Sequence, residues 1–177
     1  MKSDNLKDWE FIGELLHPDF DEEKLGVKRG EDISCPNFFK LGDKWVLVCI
    51  SHKLGCRYFI GDFVNEQFLP EHHAVLGGSS NLYFAPESLK TPDGRRVNWS
   101  WYRGDRYLKS IQSLPTELEL PADGVMRIRP IRELEQLRQT EKVNSNIFVK
   151  SNIPALVKGT KGDHMEIKIN IKETGDQ

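Results

Sequence analysis

Two adjacent carboxylates, Glu31 and Asp32, stand just before a long apolar stretch of the chain. A carboxyl group can pass a proton to or from a reacting atom when it is held in reach. An acidic pair on a loop that rigid strands can hold in place is therefore a candidate functional site. The acids upstream, Asp19, Asp21, Glu22 and Glu23, are followed by Lys24, Lys28 and Arg29 and read as a solvated loop or short helix. Cys49, His52 and Cys56 form a loose Cys-x2-His-x3-Cys set. A zinc site needs a fourth ligand and tetrahedral geometry, and the cysteines read better as small packing residues. His72 and His73 are adjacent, so on a strand they point to opposite faces and do not chelate one ion together. No metal and no organic cofactor is expected.

The elements that must position the acidic pair begin at residue 30. A polar lead-in and Pro36 precede two runs rich in aromatic and β-branched residues, 45–50 and 57–63, separated by Lys53-Leu54-Gly55. This predicts an antiparallel hairpin. Upstream, Trp9, Phe11 and Leu15 alternate weakly with polar residues and predict a strand that ends in a loop at Pro18. Residues 67–80, with Pro70 and a Gly-Gly-Ser-Ser run, read as a loop. Runs at 82–89 and 95–101 flank Pro92-Asp93-Gly94, a tight-turn signal, and predict a second hairpin. On its second strand Arg96, Asn98 and Ser100 share one face, and Val97, Trp99 and Trp101 share the other. Alternating runs at 111–120 and 125–130, with Asp123-Gly124 between them, predict a third hairpin. Leu134 and Leu137 suit one helical turn docked on a sheet. Beyond residue 139 the chain turns polar, and Met165 to Lys172 alternates as a half-buried strand would.

Composition narrows the classes of function. A chain of 177 residues with 38% apolar content can bury a real core, and its net charge is -2. The basic residues are dispersed, so the electrostatic footprint of a nucleic-acid binder is missing. No run approaches the roughly 20 apolar residues that span a bilayer, so no membrane partner is expected. The first residues lack the apolar core of a signal peptide. Three cysteines leave at least one unpaired, which argues against a disulfide framework and for a reducing, cytoplasmic setting. The same stretch inside a longer secreted parent would read identically.

Four motifs in colinear order then point to one family. Ser34-Cys35-Pro36-Asn37-Phe38-Phe39 resembles the Glu-Cys-Pro-Asp-Phe-Phe signature of glycoside hydrolase family 32, the invertases, levanases and inulinases. Tyr83, Ala85, Pro86 and Glu87 resemble the family's Tyr-Ala-Pro-Gln loop, followed by a Trp-x-Trp strand at Trp99 and Trp101. Residues 113–120 and 130–138 resemble the end of its last propeller blade and the segment that leaves the propeller. The resemblance implies that the general acid/base stands at Ser34, where the family has Glu, so Glu31 or Asp32 becomes the candidate for that role. It implies that Ser34, Cys35, Tyr83, Ala85, Pro86 and Glu87 line a sugar pocket. Trp99 and Trp101 would pack between sheets or stack on a sugar ring. The family's nucleophile motif, Asn-Asp-Pro-Asn, and its Arg-Asp-Pro motif do not occur in the sequence.

The expected fold is all-β: the last blades of a five-bladed propeller over residues 1–138, then a linker and the first strands of a β-sandwich over 139–177. The expected function is that of a β-fructofuranosidase fragment, inactive alone, from an enzyme that hydrolyses terminal β-fructofuranosides such as sucrose, levan and inulin. The alternative is a non-catalytic carbohydrate-binding or protein-interaction module. Expected partners are fructose-containing oligo- or polysaccharides, a chain supplying the missing blades, or a second copy joined through open sheet edges.

Overall fold

The computed structural model describes residues 1–77, 82–104, 109–150 and 152–171. They form two compact units, Met1–Glu135 and Gln136–Gln177. Among the described residues all the strands lie in the first unit. β1 (Ser34–Leu41), β2 (Lys44–Ser51), β3 (Gly55–Val64) and β4 (Gln67–Val75) make an antiparallel meander. β5 (Tyr83–Lys90), β6 (Arg96–Tyr102), β8 (Thr116–Glu119) and β9 (Arg127–Pro130) make a second antiparallel sheet, and β7 (Ile111–Gln112) also pairs with β6.

The residues of β2 explain why it is central. Val46, Val48 and Ile50 point to one side, where they meet Phe39, Tyr58, Leu76, Phe84, Leu118 and Met126 in a core shared by the two sheets. Leu47 and Cys49 point to the other side, against Phe59 and Phe68. Phe20, Leu25 and Val27 of the leading segment cover that second face. With both faces covered, the strand carries no polar side. Each large aliphatic side chain so buried contributes about 1.5–3 kcal/mol. The short helix α1 (Glu22–Leu25) is capped by the Asp21 side chain and ends at Gly26, whose left-handed φ of 64° glycine adopts without strain.

Several expectations are corrected. Residues 67–75 are not a loop but β4, the edge strand of the first sheet. Pro70 is tolerated because the ladder bulges there: Ile60 pairs with His72, whereas Gly61 pairs with Pro70. A Cβ on Gly61 would lie 2.1 Å from the Leu69 carbonyl oxygen, so only glycine admits that approach. Residues 78–80 of the same expected loop lie outside the described residues. Trp9 and Phe11 belong to no strand. The leading segment makes only isolated bridges, Lys2 to Glu10 and Leu16 to Phe68, because no neighbouring ladder runs beside it.

The third hairpin forms as β8 and β9, and Arg132–Leu137 closes the region as a 3-10 helix. Leu134 is half-buried but Leu137 is 73% exposed, so one leucine of the pair packs and the other does not. In the second unit, the alternating stretch 165–171 pairs with no strand, and Ile167, Ile169 and Ile171 are exposed. A strand needs a partner for its backbone groups and a surface for its apolar face. Lys172 lies outside the described residues. The order of that unit comes instead from Arg138, whose Nε and Nη2 reach the two oxygens of Glu166 at 2.6 and 2.9 Å.

Candidate functional site

The candidate site forms where β1 and β5 begin. Near its start each strand carries a residue of positive φ in front of a proline: Cys35 at 48° and Ala85 at 42°. A non-glycine residue before proline is normally extended, so both positions are strained, and such strain persists only where the surroundings impose it. Both ladders break there, between Ser34 and Asn37 and between Phe84 and Glu87. Asn37 ties the two bulges together. Its Nδ2 donates to the Pro86 carbonyl at 3.1 Å and lies 3.4 Å from Glu87 Oε2, and its Oδ1 accepts from the Ser88 backbone N–H and hydroxyl at 2.8 and 2.9 Å.

Asp32 sits at the entry to β1. Its Oδ1 accepts from the Ser34 hydroxyl at 2.6 Å. Its Oδ2 accepts from the His52 backbone N–H at 3.0 Å and lies 2.5 Å from His52 Nδ1. Hydrogen bonds to a carboxylate favour its charged form. The Ser34 bond, then those from His52, pull the Asp32 carboxyl down to about 2. The backbone is held as well: the fully buried Arg57 donates through Nη2 to the Asp32 carbonyl at 2.6 Å. Glu31 is turned aside, and its carboxylate accepts from the hydroxyl of Ser51, the last residue of β2. The His52 ring meets Phe84 edge-on, with centroids 5.6 Å apart, and Phe84 meets Trp101 in the same way at 6.3 Å.

Of the residues singled out in the sequence, the structure brings Asp32 and Ser34 into direct contact. It places Cys35, Ala85 and Pro86 at the twin bulges and Glu87 beside Asn37. Glu31 faces Ser51, and the Tyr83 hydroxyl is directed to Ser113 Oγ at 3.4 Å. His52, Asn37, Phe84 and Arg57 were not read as site residues. The signal for Asn37 was present, since it follows the Cys-Pro pair directly. His52 was read only in the Cys-x2-His-x3-Cys set, and that set does not converge. Cys49 faces the outer core, Cys56 faces the core shared by the sheets, and His52 is on the turn. Burial pushes the two thiols up to about 11 and about 12, so both stay protonated.

Trp99 and Trp101 are not among the buried residues of the core shared by the sheets. On β6 Asn98 and Ser100 are buried, and of the opposite face Val97 is buried, Trp99 is half-buried and Trp101 is 44% exposed. Trp99 and Trp101 line a shallow groove of about 240 Å3 together with Ala85, Glu87, Ser100 and Gln112. Aromatic faces beside a carboxylate and an amide are groups that can stack on and hydrogen-bond a polyhydroxylated ring.

Two antiparallel sheets that share a core, with strained proline bulges knitted together at the end that carries the acidic loop, define an all-β protein of blade-like architecture. Residues 1–130 match the family described as Glycosyl hydrolases family 32 N-terminal domain, and the chain belongs to glycoside hydrolase family 32. It is 31% identical over 163 residues to a sucrose-6-phosphate hydrolase of Zymomonas mobilis, an alignment covering 81% of this chain and 31% of the relative. It is 27% identical over 200 residues to a levanase of Bacillus subtilis, covering 96% of this chain and 28% of that protein. Among solved structures, it is similar in fold to a GH32 beta-fructofuranosidase of Bombyx mori, with TM-score 0.59, 19% identity, and 78% of this chain and 32% of the other covered. It is also similar in fold to a sucrose-6-phosphate hydrolase from Lactobacillus gasseri, with TM-score 0.57, 23% identity, and 77% and 31% covered. The chain thus spans about a third of the length of these relatives.

Proposed function

We propose that this chain supplies the part of a β-fructosidase catalytic domain that carries the acidic loop leading to the family's acid/base position, occupied here by Ser34, and one wall of the sugar pocket. In the complete enzyme, water would cleave terminal β-fructofuranosides of the sucrose, levan or inulin class. The observation that carries this reading is the Asp32–Ser34–His52 cluster at the start of β1, in a chain of this family. Ser34, Cys35, Ala85, Pro86 and Glu87 then face the sugar, with Tyr83 bracing the β5 bulge from behind.

Retaining glycoside hydrolysis uses two carboxyl groups about 5–5.5 Å apart, one attacking the anomeric carbon and one passing the proton. The family's nucleophile motif does not occur in this sequence. A general acid must also carry its proton at working pH. Asp32, held near 2, is an anion there and accepts hydrogen bonds instead. The isolated chain therefore binds a fructoside without cleaving it.

Incubation of the purified chain with sucrose, inulin and levan tests this, with released fructose as the readout. No release is expected, and turnover at an enzymatic rate would overturn the reading. Calorimetric titration with fructo-oligosaccharides is expected to give saturable heat that Asp32→Asn weakens about tenfold, the value of one lost charged hydrogen bond. Absence of heat with every fructan, together with a defined complex with another strand-edge partner, would favour an interaction module through the open edges of β4 and β9.

A further inference from the structure

The opposite end of the same two strands carries a second feature. Lys40, Leu41, Gly42, Lys90, Gly94 and Arg96 line a cavity of about 270 Å3. Lys40 and Lys90 lie near or at the C-terminal ends of β1 and β5, whereas Ser34 and Tyr83 open those strands. At about 3.4 Å per residue the cavity is roughly 20 Å from the acidic loop. Three cations line it, and among the described residues no carboxylate does.

Each cation lacks the counter-charge that a structural role would provide. Lys90 and Arg96 are direct cross-strand partners, and like charges placed directly opposite are destabilising. Among the described residues no carboxylate pairs with Lys40, Lys90 or Arg96. Arg96 Nε is buried without a hydrogen-bond acceptor. The Arg96 guanidinium stacks 3.6 Å above the Phe39 ring, which fixes its plane while its donors stay uncommitted. The nearby acid Asp93 is already taken by Arg95 and Arg132, at 2.9 and 2.5 Å. A preoriented guanidinium with two mobile ammonium groups is the donor set that recognises a tetrahedral oxyanion. The volume suits a small ion and falls below that of typical pockets for drug-sized ligands.

We infer that this cavity binds a small multiply charged oxyanion, either a free phosphate or the phosphoryl group of a small phosphate ester, independently of the sugar site. The occupant neutralises the Lys90–Arg96 opposition and bridges the ends of β1 and β5. The inference does not depend on the proposed hydrolase role.

Thermal unfolding and calorimetry of the whole chain at constant low ionic strength test it. Inorganic phosphate and glucose 6-phosphate are compared with matched chloride and with unphosphorylated glucose. Phosphate is expected to raise the melting temperature by about 2 °C or more through mass action on the folded state. Lys90→Gln and Lys40→Gln are expected to weaken phosphate binding about five- to tenfold each, as one charge-assisted contact is lost. In phosphate-free buffer Lys90→Gln is expected to be as stable as the parent chain or more so, because it removes the like-charge pair. A defect in folding alone would lower stability in both buffers. Binding by the ester alone, or by free phosphate alone, identifies the source of the oxyanion and upholds the site. A phosphate response no larger than that to chloride, or equal responses in the parent and both variants, overturns it.

Discussion

Asp32 concentrates the chemistry of the acidic loop because three donors converge on one carboxylate. Its folded value, about 2, lies below the ordinary 3.8, so the charged form is favoured in the native state. Its contribution to stability is therefore full above about pH 3.8 and is lost as pH falls toward 2. The stability gap between the parent chain and Asp32→Asn is expected to be present at pH 5 and to close between those limits, as followed by denaturant titration at several pH values. Ser34→Ala removes the first of the bonds and is expected to move the Asp32 carboxyl titration upward, visible in its carbonyl carbon NMR shift. The cysteines divide just as sharply. Cys35 is exposed at its bulge, while Cys49 and Cys56 are buried and pushed up to about 11 and 12. Since the thiolate is the reacting species, an aromatic disulfide reagent is expected to modify one thiol in the folded chain and all three after denaturation.

Strands are positioned by a few contacts that no propensity scale describes. Asn37 is the clearest case, since its single amide joins the bulge of β1 to that of β5 through four partners. Asn37→Ala is expected to cost about 2 kcal/mol, the sum of lost bonds and orphaned groups, measured by urea unfolding. Asn37→Asp keeps the acceptor for Ser88 but sets a carboxylate against the Pro86 carbonyl and Glu87, and is expected to be at least as damaging. Gly61→Ala drives a methyl into the Leu69 carbonyl oxygen, which is backbone and cannot swing aside. A loss of about 2–3 kcal/mol is expected, in the range of overpacked cores. A change under 0.5 kcal/mol would mean that β4 does not bulge opposite Gly61.

The chain's two units differ in what holds them. Met1–Glu135 is built on ladders and two apolar clusters, whereas residues 139–150 are exposed and carry no regular structure. Local opening requires little where few buried contacts exist. Limited trypsin treatment is therefore expected to cut at Lys142 and Lys150 before any lysine or arginine in β2 or β3, leaving a stable fragment that mass spectrometry assigns to the first unit. Early cleavage at Arg57, which is fully buried on β3, would contradict the placement of β2 and β3 at the centre of the fold.

By itself the sequence determined the β2–β3 and β5–β6 hairpins, the family signatures and the acidic loop, because these rest on residue type and short-range spacing. Tertiary structure decided the rest. It buried Asn98 and Ser100 and left Trp101 at the surface, because how far each face of a strand is buried depends on where the next sheet lies. It made 67–75 a strand, since a bulge opposite a glycine removes the objection to Pro70. It withheld a ladder from 165–171, because alternation becomes a strand only beside a partner. It also separated Glu31 from Asp32, side by side in the chain, by giving Ser51 to one carboxylate and Ser34 with His52 to the other.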